Sequence, residues 1–340
     1  MRIWNRLYEK SEPRLRVAML ALLALAAIYP AADAATARQG YTVGFLGLTS
    51  AADHSRQTGA LRQGLRDLGY EEGKNLVIEY RWAERKLDLL PALAAELVGL
   101  KVDVIVTHGS PGSRAAKQAT AEIPIVIAVV GDPVGSGVVA SLSRPGGNVT
   151  GLVLQEFESS VKWLELLKQV APQASQVGWL DVPGVETQQV AEAERKKEDA
   201  AARSLGLQTQ RVTVRGANDL IQAFATLAQQ GAHGVVVPNT SLLNPLGAQI
   251  ASLAVKHRLP SIGATAFARA GGLLGYGPDG ADMYRRAAGY VDEILKGAKA
   301  GDLPMEGPPK FEMTVNLQTA RALGMTIPPS VLAQANYRIE

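Results

Sequence analysis

From residue 41 onward, short β-rich runs alternate with stretches whose apolar residues recur at helical spacing. That alternation is the mark of a parallel sheet covered by helices on both faces. Residues 41–48 read as a strand. Residues 54–68 read as a helix carrying Leu61, Leu65 and Leu68 on one face, stopped by Gly69 as a left-handed cap. In 76–82, Leu76, Ile78, Tyr80 and Trp82 alternate with Val77, Glu79 and Arg81, which predicts a strand wet on one face at a sheet edge. A helix over 87–98 follows, and the compact apolar runs 102–106 and 123–130 predict central strands buried on both faces.

After a strand at 148–154 the pattern restarts. Helices are predicted at 159–170, at 186–205, around Leu220, Ile221, Phe224 and Leu227, and at 246–257. Between and after them come strands at 176–182, 207–214, 234–237, 261–264 and 272–276. An amphipathic helix at 281–296, a Gly/Pro-rich bridge at 297–309 and a strand through Phe311, Met313, Val315 and Leu317 close the chain. The fold class expected is therefore α/β, as two doubly wound parallel-sheet lobes joined by a hinge. One lobe would hold 41–153 plus 278–309, the other 154–277 plus 310–340. A chain of 340 residues suits two such cores better than one.

The first residues follow a different order. Arg2, Arg6, Lys10, Arg14 and Arg16 give a basic start, 17–28 is an unbroken apolar run, and Ala32-Asp33-Ala34 has the small-x-small form a signal peptidase cuts. The run is too short to span a bilayer, which takes about 20 residues. Residues 1–34 thus read as a cleavable signal peptide, and the expected location is the periplasm. Cleavage takes the net charge from +3 to +1, so no basic footprint for nucleic acid is left to explain. The absence of cysteine excludes disulfides, thiolate metal sites and a cysteine nucleophile, and points to a free product without a lipid anchor.

Ligands of open parallel sheets bind beyond the carboxyl ends of the strands, so the loops after each strand are the candidates. They hold Thr49 and Ser50; His108, Gly109 and Ser110, running on to Ser113; Gly131 and Asp132; Asp181 with Val182, Pro183 and Gly184; Asn239 and Thr240; and Thr265 to Phe267. Hydroxyls and free N–H groups at helix starts can receive a carboxylate, although each hydroxyl alone could equally be a helix cap. Asp132 and Asp181 could pair with a ligand ammonium or tie down their own turns. Phe267 and Tyr276 could wall an apolar pocket or belong to the core.

Enzyme signals are poor. The phosphate-loop, dinucleotide, GxSxG and HExxH motifs are missing, and His54, His108, His233 and His257 lack ligand spacing, so neither a cofactor nor a metal nor a catalytic residue is expected. A hydrolytic site from Ser110, His108 and Asp132 can be drawn, but nothing in the sequence fixes its geometry.

Four segments carry a family likeness: GALRQGLRDLGYEEGKNLVIEYRWAE (59–84), LPALAAELVGLKVDVIVTHG (90–109), IPIVIAVVGDPVGSGVVASLSRPGGNVTG (123–151) and the stretch 284–335 that opens YRRAAGYVDEILKG. The chain resembles the periplasmic substrate-binding proteins of ABC transporters, in the TrpX-type group of tryptophan and other aromatic amino-acid binders. The resemblance implies a type I periplasmic-binding-protein fold with three crossings between lobes and a small-molecule ligand in the cleft, an amino acid or related carboxylate. It also implies an ABC permease in the inner membrane as partner. Carried over by position, the pocket would use Thr49, Ser50, His108, Gly109, Ser110, Gly131, Asp132, Asp181, Asn239, Thr240 and Tyr276. Where many relatives have an Asn-Pro loop after the first strand of the second lobe, this chain has Asp181-Val182-Pro183-Gly184-Val185, a departure that bears on ligand preference. The alternatives are a protein that presents ligand to a receptor kinase, and a periplasmic hydrolase using His108 or Asp132. A sugar-responsive repressor is excluded, because an export signal stands where a DNA-reading helix pair would be required.

Overall fold

Strict alternation along the first strand gives it two apolar faces: Val43 and Phe45 enter one core, Leu46 the opposite one. The structure, a computed structural model, describes residues 40–154, 156–184 and 186–340. The signal peptide expected at 1–34 lies outside them. The first half runs β1 (Tyr41–Gly47), α1 (Ser55–Asp67), β2 (Leu76–Trp82), α2 (Leu90–Gly99), β3 (Val104–Thr107), α3 (Gly109–Ala119), β4 (Ile125–Val130) and β5 (Val149–Val153). These strands form one parallel sheet in the order β2-β1-β3-β4-β5, with β2 at the edge as its wet face predicts. Val104 and Val106 join the core of Phe45 while Ile105 joins that of Leu46, so both faces are covered.

The second half runs α4 (Glu156–Val170), β6 (Gln176–Asp181), α5 (Gln188–Ser204), β7 (Gln208–Thr213), α6 (Leu220–Gln229), β8 (Val235–Val237), α7 (Gly247–Lys256), β9 (Ser261–Gly263), α8 (Thr265–Arg269) and β10 (Leu274–Gly277). Then come α9 (Gly280–Leu295), β11 (Glu312–Asn316), α10 (Leu317–Ala322), α11 (Pro329–Gln334) and β12 (Tyr337–Ile339). The second sheet has the order β12-β11-β10-β9-β8-β6-β7; it is parallel from β7 to β10, and β11 runs antiparallel to β10. Its two faces carry separate cores, one built on Val177 and Trp179, the other on Leu180 and Phe224.

Late elements return to the first sheet. Helix α9 packs on α1 and β4, and Tyr70 Oη donates to Asp292 Oδ1 at 3.0 Å. The bridge after α9 lies beside β5, where Val153 N donates to the Glu306 carbonyl at 2.9 Å and Thr150 Oγ1 to that of Leu303 at 2.8 Å. Residues 41–340 form one contact unit.

The segment from His108 to Ser113, expected as a loop, is mostly the first turn of α3. Pro111 is tolerated there because first-turn N–H groups need no intrahelical acceptor. Gly112 lets the helix sit against β3, since a Cβ would come within 2.5 Å of Thr107 Oγ1. Leu68 does not share the buried face of Leu61 and Leu65; it is the exposed C-cap, and Gly69 then turns at φ +93°. The strand expected through Leu317, β11, stops before that residue, because Asn316 caps a helix by accepting from Thr319 N at 3.0 Å.

Helices α1 and α9 approach closely at Gly64, where an added Cβ would lie 2.6 Å from the Arg285 carbonyl oxygen, whereas Gly59 on the same helix faces open space. Gly64→Ala should therefore lower the free energy of unfolding by about 2 kcal/mol through overpacking. Gly59→Ala should raise it by about 0.5–1 kcal/mol through helix propensity. Urea denaturation of the two variants checks both signs.

Candidate functional site

Both sheets share one topological device. The order β2-β1-β3 reverses direction between β1 and β3, and β7-β6-β8 does the same between β6 and β8. At such switch points the following loops diverge and leave a crevice at the carboxyl ends of the strands. A cavity of about 760 Å³ opens there, lined from the first sheet by His54, His108 to Pro111 and Val129 to Gly131. The second sheet lines it with Trp179 to Gly184, Pro238 to Ser241 and Ala264 to Ala266.

Of the residues expected from sequence, the structure brings His108, Gly109, Ser110, Gly131, Asp181, Asn239 and Thr240 to this cavity. Thr49, Ser50, Asp132 and Tyr276 do not line it. Thr49 is buried and its Oγ1 lies 2.8 Å from His54 Nδ1, while Ser50 Oγ accepts from Asp53 N in the turn before α1. Asp132 Oδ1 accepts from Gly135 N at 2.7 Å, which is the turn-holding role. Tyr276 stacks on Phe311, with ring centroids 5.5 Å apart, and its carbonyl accepts from Trp163 Nε1 at 2.7 Å. Phe267 belongs to a core cluster. The drawn trio of Ser110, His108 and Asp132 makes its hydrogen bonds elsewhere: Ser110 Oγ donates to Glu186 Oε1, and His108 Nε2 accepts from Leu48 N at 3.3 Å.

The first-sheet wall is aromatic. The rings of His54 and His108 lie 4.2 Å apart, with Tyr284 about 6 Å from each. Burial, only partly opposed by the Asp53 charge, holds the His54 imidazole down to about 4. His108 is also held well below the usual histidine range, by burial and by the neighbouring His54. Because Nε2 of His108 accepts a backbone N–H, its proton sits on Nδ1.

The second-sheet wall is charged. Helix α5 turns Gln188, Ala191, Glu194, Arg195 and Glu198 into the cavity, the spacing of one helical face. Arg195 pairs with Asp181 at 2.7 Å, and Arg211 with Glu198 at 2.8 Å, its guanidinium 5.0 Å over the Trp179 ring. Glu194 is pushed up to about 7 by burial and by the charges of Glu186, Glu198 and Asp132. Among the described residues no group of three or more His, Cys, Asp or Glu is arranged to hold a metal ion, and no helix is long and apolar enough to cross a membrane.

The family model for the ABC transporter substrate binding protein matches residues 49–339. The chain belongs to that family. Among curated relatives it is 28% identical to the tyrosine-binding protein of Clostridioides difficile (strain R20291) over 268 residues, 77% of this chain and 75% of that one. Among solved structures it superposes on a conserved domain protein from Vibrio cholerae with a TM-score of 0.81 at 29% identity, over 88% of this chain and 99% of that one. A Streptococcus pneumonia ABC domain in complex with L-Trp gives a TM-score of 0.80 at 24% identity, over 88% and 100%. The fold is the type I periplasmic-binding-protein fold, α/β with two doubly wound lobes.

In this substrate-binding protein, sequence reasoning missed His54, Trp163, Trp179, Glu186 and Glu194 as cavity residues. The helical period of α5 could have assigned Glu194 and Glu198 to one face. Nothing local marks Trp179, which sits inside a strand and reads as core, or Glu186, which reads as the first residue of the helix and stands ahead of its cap Thr187.

The histidine pair gives the site a pH signature. An imidazole whose folded value lies below its unfolded value of about 6.5 lends stability above pH 6.5 and loses it as pH falls toward about 4. Glu194 titrates in the opposite sense, so the comparison needs a variant. Between pH 7 and pH 5 the wild type should lose about 2 kcal/mol more unfolding free energy than His54→Gln. Denaturant titrations of both proteins at the two pH values check this.

Proposed function

We propose that this chain is the solute-binding component of an ABC importer, acting in the periplasm, and that its ligand is an amino acid, aromatic ones foremost. The observation that carries the reading is the cavity walled by the strand ends of two separately cored sheets. Family membership supports the transport role, and the tyrosine-binding relative supports an amino-acid ligand.

The chemistry of the walls agrees with a zwitterion. Ser110 Oγ and the start of α3, where the N-cap His108 makes no side-chain cap bond, suit a carboxylate, which helix N-termini favour. The acidic face of α5 suits an ammonium, and the indoles of Trp163 and Trp179 offer apolar surface to a side chain. Gly109, Gly131, Asn239 and Thr240 would complete the pocket through backbone and amide groups. Thr49, Ser50, Asp132 and Tyr276 would support its walls.

Hinge closure is the mechanism that follows. The lobes would comprise 41–153 with 278–309 and 154–277 with 310–340, the chain crossing between them three times. A ligand touching both lobes stabilises the closed form only through contacts it gains there; moving a 1:99 equilibrium to 99:1 takes about 5.5 kcal/mol of that preference. The closed form would then dock on an inner-membrane permease, with no nucleic acid and no cofactor involved.

L-tyrosine or L-tryptophan at about 100 times its Kd should add about 2.7 kcal/mol to stability and raise the melting temperature. The same ligand should shrink the radius of gyration in solution scattering. A melting temperature and radius indifferent to the proteinogenic amino acids would overturn the assignment.

A further inference from the structure

We infer that Glu186 is a built-in competitor for the ligand's acid group: its carboxylate, reaching from the second lobe, occupies the carboxylate-receiving hydroxyl of the first. The inference rests on the amino-acid reading above. Ser110 is the second residue of α3, almost wholly buried, and it borders the cavity. Its Oγ donates to Glu186 Oε1 across 76 positions of sequence, joining the helix after β3 to the segment after β6. Arg114, one turn further along α3, brings Nη1 within 3.7 Å of the other carboxylate oxygen, so the seat has a cation beside it as well as a hydrogen-bond donor.

The placement of Glu186 is what permits this. Helix α5 begins only at Gln188, after the cap Thr187, whose Oγ1 accepts from Val190 N. Glu186 therefore projects from the approach to the helix, following the turn at Pro183-Gly184, and can leave its seat without unwinding α5. The residue does two things at once. It bridges the two lobes, favouring closure without ligand, and it imposes an exchange in which an entering carboxylate must displace a carboxylate already seated. A ligand without an acid group has no means of making that exchange, so Glu186 also acts on specificity.

The test compares wild type, Glu186→Gln and Glu186→Ala by calorimetry with L-tyrosine and L-tryptophan, and with tyramine and tryptamine, which lack the acid group. Glu186→Ala should bind the amino acids about tenfold more tightly, the scale of one charged hydrogen bond no longer displaced. The amines should not gain, and Glu186→Gln should fall between. Weaker or unchanged amino-acid binding in Glu186→Ala, or an equal gain for the amines, would overturn the inference. A second arm needs no ligand: scattering should find a larger radius of gyration for ligand-free Glu186→Ala than for ligand-free wild type, and equal radii would overturn the bridge. If none of the three proteins binds either amino acid, the ligand assignment fails by itself while the scattering arm still decides the role of Glu186.

Discussion

Parallel strand direction is the constraint on which the site depends. In a parallel sheet every strand leaves at the same edge, so every following helix presents its N-terminal N–H groups there. The first sheet and the β7-to-β10 part of the second obey that rule, and the cavity is lined by residues that follow β1, β3, β4, β6, β8 and β9. Each sheet reverses its strand order once, and the two reversals face one cleft. The position of the cleft is thus a consequence of winding order rather than of any one residue.

Desolvation then sets the character of the two walls. On the first-sheet side burial favours neutral imidazoles, and the rings of His54 and His108 lie against each other tilted by 32°. On the second-sheet side arginines compensate some of the carboxylates, through Asp181–Arg195 and Glu198–Arg211. Glu194 has carboxylate neighbours instead and is held back from ionising. The cavity thus sets neutral aromatic rings on one side against paired and unpaired carboxylates on the other.

The path of the chain between lobes matters as much as the walls. Because α9 and the bridge after it pack against the first sheet while β11 and β12 extend the second, the sequence order is not the spatial order. The chain therefore passes between the two sheets more than once instead of completing one before starting the other. Gly64, with no room for a Cβ against the Arg285 carbonyl, marks how tightly α9 is held to its lobe.

Period and composition by themselves determined the α/β class, the pairing of strand with helix, the edge position of β2 and the candidate loops, because side-chain alternation and turn residues are local properties. They did not reveal α3, whose glycines and proline mimic a loop until the helix is seen packed on Thr107 and Leu48. They were also silent on which polar residues serve the fold. Asp132 and Asp181 look alike in sequence, yet Asp132 bonds within its own turn while Asp181 meets Arg195 at the cavity wall. Only the tertiary structure decided that Glu186 crosses to Ser110, because a contact between residues 76 apart depends on how two sheets face each other, and no local pattern encodes that distance.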